Sequence, residues 1–437
     1  MEEKDSKGLS RRQFMKSAGI TAAGMVAGSL LGDRVFAQAA GSAPASGRVI
    51  GANDRINVAV IGTGGMGTGH VNTLKGLEAE QNIKVVAVCD VFTKHRSRAQ
   101  KAAGVPDDCC YGDYRKLLER KDIDEVVVAT PDHWHGQVSV DAMQAGKHVY
   151  VEKPMTRYLD EALKMWETSK STKRLVQVGS QGCSDTRWHQ AGQIVKDGKY
   201  GKLLWAQASY CRNSPTGEWN YYAIDPEAND QSVDWKMWLG SAPKRPWDPD
   251  RYFRWRKYWD YGTGIIGDLW PHRLHPLMIA MNLQEFPKKV ACIGGNLTNS
   301  DKGVAPAREI DEVTMLLVEF PSGPMIYMAG STVNEQGLDD VLRFNKATMN
   351  IGDGLTIKPE RPYVDEIEAY SEPRKGAGES HTEHHKNMFY SIRNNKQPNC
   401  NIELGVRVQT IICMAEKSRR ENKVMLFDEA KLQMQAG

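Results

Sequence analysis

The chain has 437 residues, which is more than one ordinary domain needs and enough for two. Hydrophobic residues make up 41% and charged residues 25%, the balance of a soluble globular protein, and no apolar run approaches the ~20 residues that span a bilayer. A net charge of only +3 gives no reason to expect nucleic acid or an anionic membrane surface as a partner.

The first 39 residues are predicted to be an export signal. Residues 10–16 (SRRQFMK) resemble the twin-arginine consensus, an apolar stretch diluted by Gly and Ala covers 20–31, and AQA at 37–39 offers a small-x-small cleavage site. Residues 40–54 are rich in Gly, Ala and Ser and are predicted to be a linker. We therefore expect export through the twin-arginine pathway, to the periplasm or an equivalent compartment.

A strand, a glycine-rich loop and a helix are predicted next. Residues 56–61 are apolar almost throughout, as in a strand buried on both faces of a parallel sheet, and 66–77 have helical periodicity. GTGGMG at 62–67 matches G-x-G-x-x-G, in which glycines permit a tight turn and close approach of a pyrophosphate to the helix N-terminus. The loop residues expected to bind a dinucleotide are Gly62, Thr63, Gly64, Gly65, Met66 and Gly67.

An acidic residue follows the second predicted strand, 84–89. Asp90 stands 23 residues after Gly67, where a carboxylate accepts hydrogen bonds from the adenosine ribose and repels a 2′-phosphate. Lys94 and Arg96 come close behind and soften that preference. NAD is therefore the expected cofactor, and NADP is the less favoured one.

Strands and helices continue to alternate up to about residue 180. Strand patterns lie at 125–129, 148–151 and 175–179, with helical patterns at 135–145 and 159–170. This alternation predicts a doubly wound parallel sheet, a Rossmann domain over 55–180, with its ligands at the carboxyl ends of the strands. Further cofactor contacts are expected there from Thr130, Pro131, His135, Glu152, Lys153 and Gln181.

The motifs, taken in order, resemble those of the Gfo/Idh/MocA oxidoreductases, named for glucose–fructose oxidoreductase and inositol dehydrogenase. After the glycine loop and Asp90 come ATPDHWH at 129–135, EKP at 152–154 and GDLWPH at 267–272. The resemblance covers about 55–428. It implies a C-terminal α/β domain, here 181–437, built on an open, mostly antiparallel sheet that also forms the interface of a homo-oligomer.

The resemblance places the family's catalytic lysine on Lys153 and its aspartate and histidine on Asp268 and His272. The chain departs from the commoner G-G-G-x-x-x-D-x-G-x-H form, because it has GTGIIGD at 262–268 and Trp270-Pro271 before the histidine. The chemistry agrees: a histidine with a pKa of about 6.5 suits the removal of a hydroxyl proton, and a lysine polarises the oxygen. Asp268 and His272 are four residues apart, so a helical turn puts them on one face.

Beyond residue 181 the alternation stops. Helices are predicted at 188–197, 384–394 and 405–421, a strand at 203–210, a hairpin of 313–320 with 325–330, and short strands at 348–351 and 355–357.

Eight of the eleven tryptophans lie between Trp205 and Trp270, with arginines and aspartates interleaved. Most are expected to pack into a local aromatic cluster, but aromatic faces also suit sugar rings. Trp134 and Trp270, with His275, are the candidate contacts to a sugar or polyol substrate.

Neither the cysteines nor the histidines predict a metal site. The eight cysteines form no C-x-x-C pair and fit no disulfide scaffold. His381, His384 and His385 have zinc-compatible spacing, but no cysteine or carboxylate set completes a site.

The expected function is that of an exported oxidoreductase that transfers a hydride between a sugar or polyol hydroxyl and NAD. Two alternatives stay open: an NAD-dependent retaining glycosidase of the same superfamily, and a non-catalytic, NAD-containing sugar-binding protein. An exported enzyme has no soluble NAD pool to exchange with, so the cofactor is expected to be held tightly and recycled in place.

Overall fold

A computed structural model describes residues 51, 54–301, 303, 307–376 and 378–437. The predicted export signal and nearly all of the predicted linker lie outside this part of the chain. Within it, no helix combines the length and the hydropathy that a membrane crossing requires.

Six parallel strands form the first sheet, in the order β3-β2-β1-β4-β5-β6. The strands are β1 (Ile56–Ile61), β2 (Ile83–Cys89), β3 (Cys110–Tyr111), β4 (Glu125–Val128), β5 (His148–Glu152) and β6 (Val176–Gly179). The helices between them are α1 (Gly65–Gln81), α2 (Thr93–Ala103), α3 (Tyr114–Leu118), α4 (Asp132–Gln144) and α5 (Leu159–Thr172). This topology confirms the predicted doubly wound sheet. The strand order reverses beside β1, where such sheets bind their ligands.

Ten strands form the second sheet, in the order β14-β13-β12-β11-β7-β10-β9-β8-β15-β16. They are β7 (Leu203–Cys211), β8 (Lys289–Gly295), β9 (Val313–Glu319), β10 (Met325–Ser331), β11 (Val341–Phe344), β12 (Ala347–Gly352), β13 (Gly354–Pro359), β14 (Tyr370–Pro373), β15 (Met425–Asp428) and β16 (Gln433–Ala436). Among the strand pairs described in this second sheet, only β7 and β10 run parallel, and the others are antiparallel. The mostly antiparallel sheet is therefore confirmed, and so is the predicted hairpin, formed by β9 and β10.

The remaining longer helices are α6 (Thr186–Asp197), α7 (Trp235–Leu239), α8 (Pro249–Phe253), α9 (Pro271–Ala280), α10 (His381–Asn394) and α11 (Ile402–Glu421). Val406 and Ile411 on α11 belong to the same core as Leu316 and Val318 on β9. One face of the second sheet is thus buried, because alternate side chains of its strands point into this core.

The segment between β7 and α9 leaves the second sheet and reaches the first. We call residues 212–262 the strap. Its Val233 pairs with Phe92, directly after β2, in an isolated antiparallel bridge. A separate aromatic core joins Phe92 to strap residues, namely Val233, Trp235, Trp238, Leu239, Tyr252, Tyr258 and Tyr261. Four of the eight tryptophans, Trp235, Trp238, Trp247 and Trp255, belong to this core or pack against it, which is half of the set and not the expected majority. The core fastens the strap beside the glycine loop.

Candidate active site

The glycine loop has the shape of a phosphate cradle. Gly62 has φ +84°, and a Cβ there would lie 2.7 Å from the backbone of Ala129 and Thr130. A Cβ on Gly67 would lie 1.8 Å from the carbonyl oxygen of Gly62. Both positions therefore require glycine, which keeps the helix N-terminus of α1 close to the strand end and open to an anion.

Asp90 is held beneath this loop. Its Oδ2 accepts the backbone N–H of Thr63 at 2.7 Å, and its Oδ1 accepts that of Phe92 at 2.8 Å. The carboxylate also lines the cavity described next, so it faces that cavity with a fixed orientation.

A cavity of about 620 Å³ runs from the glycine loop to Lys153. One wall carries most of the predicted cofactor residues: Gly62, Gly64, Gly65, Met66, Asp90, Thr130, Pro131, His135, Glu152 and Lys153. The opposite wall belongs to the strap, through 222–226 and 252–256 among others. Three predicted cofactor residues lie behind the lining: Thr63 and Gly67 are buried in the loop, and the amide of Gln181 bonds to His381 at 2.9 Å. The strap thus forms a wall of the cavity, although none of its residues was predicted from the sequence to contact the cofactor.

His135 joins two of the loops that line the cavity. Its Nδ1 lies 2.7 Å from the carbonyl oxygen of Pro154, and its Nε2 lies 2.8 Å from that of Thr130. Because both ring nitrogens lie within hydrogen-bonding distance of backbone carbonyl oxygens, the His135 side chain holds these two loops in position.

Lys153 and Asp268 form a buried ion pair at the inner end of the cavity. Lys153 Nζ donates to Asp268 Oδ1 at 2.9 Å and to its carbonyl oxygen at 2.6 Å. The other donors to this carboxylate come from the strap: Arg256 Nε at 3.0 Å and Trp219 Nε1 at 3.1 Å. Burial would raise the pKa of Asp268, but Lys153 and Arg256 outweigh it and hold that pKa well below its ordinary value. Asp268 is therefore an anion that fixes two cations and an indole N–H.

His272 follows at the start of α9. Burial, reinforced by the Lys153 charge, holds the pKa of His272 well below its ordinary value of 6.5. The imidazole is therefore neutral at pH 7 and able to accept a proton. Asp268 belongs to a π-helical turn, Ile265–Leu269, so the expected α-helical spacing of the pair is replaced by a wider turn. Such turns often occur at functional sites.

A histidine network lies behind the ion pair. His70 Nε2 is 2.9 Å from Glu152 Oε1, and His70 Nδ1 is 2.9 Å from His385 Nε2. Burial would raise the pKa of Glu152, but His70 brings it down to about 2. Glu152 is thus a fixed anion beside Lys153. The sequence offered only a weak signal for His70, its position three residues beyond the last glycine of the loop.

The three neighbouring histidines of α10 do not converge on one point. His384 bonds to Ser184 and to the carbonyl of Val178, while His385 and His381 bond elsewhere. One ligand-type atom each of His70, Glu152 and His381 lie within 4.8 Å of one another. Within that group, His70 and Glu152 are already hydrogen-bonded to each other.

Two of the three expected substrate contacts lie elsewhere. Trp134 is half-buried, lines the first cavity and donates its indole N–H to the carbonyl of Trp238 at 2.7 Å. Trp270 is fully buried, with its Nε1 2.6 Å from the point where a Cβ on Gly330 would stand. His275 is also buried, and its Nδ1–H donates to the carbonyl oxygen of Pro271 at 3.0 Å. The expectation for Trp270 and His275 is thus corrected, because neither ring has surface left for a ligand.

A second cavity of about 530 Å³ approaches His272 from the side of the second sheet. Tyr210 lines it and stacks on the His272 ring, with 5.0 Å between centroids. Charged groups of both signs line it in equal number: Arg187, Arg212 and Arg273 with Glu335, Asp339 and Asp340. Burial raises the pKa of Asp340 to about 6, although Arg273 lies 3.3 Å away. A lining with equal numbers of cations and carboxylates suits a neutral ligand with many hydroxyl groups.

Two family models match the chain. Residues 56–180 match an oxidoreductase family's NAD-binding Rossmann fold, and 215–436 match the C-terminal alpha/beta domain of an oxidoreductase family. These are the two halves of the Gfo/Idh/MocA models.

Curated relatives carry a different kind of name. "Glycosyl hydrolase family 109 protein 2" of Shewanella sp. (strain ANA-3) is 33% identical over 216 residues, 46% of this chain and 46% of the relative. "Glycosyl hydrolase family 109 protein" of Shewanella pealeana is 28% identical over 286 residues, 63% of this chain and 56% of the relative. The chain thus matches about half the length of these relatives.

Solved structures share the fold. An NAD binding oxidoreductase from Klebsiella pneumoniae has a TM-score of 0.65 at 18% identity, covering 85% of this chain and 98% of its own. An aldose-aldose oxidoreductase from Caulobacter crescentus, complexed with glycerol, has a TM-score of 0.62 at 16% identity, covering 85% and 100%. A levoglucosan dehydrogenase, in complex with NADH and levoglucosan, has a TM-score of 0.62 at 15% identity, covering 88% and 99%.

Proposed function

Because the chain belongs to the Gfo/Idh/MocA oxidoreductase family, we propose that it transfers a hydride between a hydroxyl group of a sugar or polyol and NAD. The observation that carries this proposal is the position of Lys153. Lys153 lines the cavity of the glycine loop, and its Nζ is also bonded to Asp268. The neutral His272 follows Asp268 by four residues.

The residues divide the chemistry of alcohol oxidation among them. His272 accepts the hydroxyl proton, since its imidazole is neutral at pH 7. The Lys153 ammonium polarises the same oxygen, and Asp268 holds the ammonium in place. When bound, NAD supplies the acceptor for the hydride. The glycine cradle, in which a Cβ has no room at Gly62 or Gly67, fits the pyrophosphate of this cofactor.

The second cavity is the proposed seat of the sugar. Tyr210 lines this cavity and stacks on the ring of His272, and the arginines and carboxylates of the lining offer donors and acceptors for adjacent hydroxyl groups. A screen of monosaccharides, glycosides and inositols that follows the absorbance of NADH tests the proposal. If no sugar or polyol changes the redox state of the bound cofactor, the proposal fails.

We also propose that the cofactor stays bound through many turnovers outside the cytosol. The strap forms one wall of the cavity and is held to the first sheet by its aromatic core, so this wall can move aside to release a dinucleotide only if that core opens. Slow release of this kind means that a second substrate or an external acceptor regenerates the cofactor in place. The test is to purify the protein without nucleotide, denature it and measure the NAD(H) set free. An empty protein that releases NADH freely would contradict retention.

The names of the curated relatives favour one other function, an NAD-dependent glycosidase. In that reaction, the transient oxidation of the sugar assists cleavage of its glycosidic bond and the cofactor is restored. Cleavage of aryl glycosides without net NADH distinguishes it from oxidation of a free sugar, in which NADH accumulates or passes to an acceptor.

The outer face of the second sheet is the proposed site of self-association. Ile293, Leu317 and Met325 stand on neighbouring strands β8, β9 and β10, and are 72%, 56% and 49% exposed. The register places Met315 and Tyr327 on the same face, opposite the buried Leu316 and Val318. Exposed apolar surface of this extent is typical of an interface. Leu317→Asp should lower the oligomer mass in light scattering, whereas Glu319→Gln on the same strand should not.

A further inference from the structure

We propose that Asp225, on the strap, is a second determinant of cofactor choice and makes the protein reject NADP by holding Lys94 away from a 2′-phosphate. The inference rests on the proposed function, since it takes the first cavity as the dinucleotide site. It assigns a specificity role to a residue far from the nucleotide-binding motifs in sequence.

Lys94 is the cation best placed by sequence to bind a 2′-phosphate, four residues after Asp90. It lines the cavity, as Asp90 does. Yet its Nζ is 2.7 Å from Asp225 Oδ2 and 2.9 Å from Glu227 Oε2. The ammonium is therefore neutralised from the strap rather than left free for the nucleotide.

The other cations near Asp90 are bonded to the glycine loop and its surroundings. Arg96 Nη1 donates to the carbonyl of Asp90 at 3.0 Å. Arg98 Nη2 donates to the carbonyls of Thr63 and Gly64, at 3.0 and 3.2 Å. Arg96 and Arg98 thus donate to backbone carbonyl groups, whereas Lys94 pairs with a carboxylate of the strap.

The position of Asp225 is enforced by the backbone. The N–H of Thr93 donates to the carbonyl of Ser232 at 3.1 Å, and that of Asp234 donates to the carbonyl of Val91 at 3.0 Å. These bonds flank the Phe92–Val233 bridge and join the strap to the segment that precedes Lys94. The Asp225 carboxylate is itself oriented by the N–H of Glu227, which donates to its Oδ1 at 3.0 Å.

The two carboxylates partnering Lys94 differ in what they face. Asp225 lines the cavity and its side chain is 19% exposed, whereas the Glu227 side chain is 76% exposed and lies outside the lining. A phosphate, with ~−1.5 to −2 charge, would meet Asp90 and Asp225 together. NAD carries no charge at that hydroxyl, so it meets no such repulsion. Asp225 thus discriminates by repelling the wrong ligand as well as by occupying its partner.

The decisive comparison is Asp225→Asn against Glu227→Gln. Each removes one carboxylate from Lys94 with little change in shape, but only the first acts inside the cavity. The purified full chain is incubated with equal, large excesses of NAD and NADP until the ratio of the bound dinucleotides no longer changes. It is then desalted and denatured, and the two released dinucleotides are separated and quantified. We expect the NADP-to-NAD ratio to rise about three- to tenfold in Asp225→Asn and to stay at the wild-type value in Glu227→Gln.

Adding Lys94→Met to Asp225→Asn should remove most of the rise in the ratio, because the freed ammonium is the proposed partner of the phosphate. An unchanged ratio in Asp225→Asn overturns the inference, as does a rise that persists in full without Lys94. Equal loss of both dinucleotides would show a purely structural role and also overturn it. A wild-type protein that binds neither dinucleotide would instead refute the proposed function.

Discussion

Replacing Glu125 with Gln is expected to stabilise the protein at neutral pH and to change little at pH 5. Glu125 begins β4, the strand that leads to Thr130, and it is fully buried. Neither of its carboxylate oxygens has a hydrogen-bond partner. Burial, with a smaller contribution from Asp124, raises the pKa of Glu125 from 4.5 to about 8. Between these values the folded protein keeps a proton that the unfolded chain has released.

The sign and the size of the effect follow from proton linkage. Because the folded state binds more protons than the unfolded state, the free energy of unfolding falls as the pH rises from 4.5 towards 8 and then levels off. Each pKa unit is worth ~1.4 kcal/mol, so Glu125 costs at most about 3 kcal/mol at pH 7. Gln resembles the protonated side chain in shape and does not titrate, so the substitution removes this cost.

The measurement is urea unfolding of both proteins at pH 5 and at pH 7.5. At pH 7.5 the free energy of unfolding of the variant should exceed that of wild type by roughly 2–3 kcal/mol. At pH 5 the two free energies of unfolding should agree within about 1 kcal/mol. Glu119→Gln, at a side chain that is 66% exposed, serves as the control and should show no such difference. A difference between the Glu125 variant and wild type that is equal at both pH values would refute the linkage argument.

Three further expectations concern the site. His272→Asn should lower kcat/KM by ~10²–10⁴-fold, as for other general bases, without changing the bound NAD measured after denaturation. Since the pKa of His272 is depressed, the wild-type kcat/KM should stay level between about pH 8 and about pH 6; a fall centred near 6.5 would contradict a neutral base. Trp219→Phe removes a donor to Asp268 and should reduce kcat about tenfold, with binding of NAD as the unaffected control.

The first half of the site was predictable because its signals are local. The turn at Gly62 and the contact between Gly67 and the Gly62 carbonyl lie within six residues, so the G-x-G-x-x-G pattern specifies them without the rest of the chain. The signal for Asp90 is equally local, because Asp90 is the first residue after β2. The parallel topology of the first sheet also follows from a local signal, the alternation of strands and helices along the chain.

Closeness to Asp268 in the sequence was a poor guide to which side chains can contact a substrate. Trp270 and His275 stand close to it along the chain, but a helix sends neighbouring side chains in different directions. Trp270 turns towards Gly330 of the second sheet and fills core space, while His272, two residues later, meets Tyr210. No periodicity in the sequence told these directions apart, because the π-helical turn at Ile265–Leu269 changes the phase of the helix that follows.

The strap was the part least accessible from the sequence, since its contacts are long-range. Trp219 and Arg256 reach Asp268 at one end of the first cavity, while Asp225 reaches Lys94 at the other. One segment therefore contributes to both ends of the first cavity, near Asp268 and near Lys94. This segment packs against the residues after β2 through the aromatic core. Opening the strap to exchange cofactor would withdraw two of the groups that hold Asp268. The same segment thus contributes to the proposed cofactor cavity and to the surroundings of the Lys153–Asp268 ion pair, so a substitution that loosens the strap is expected to affect both.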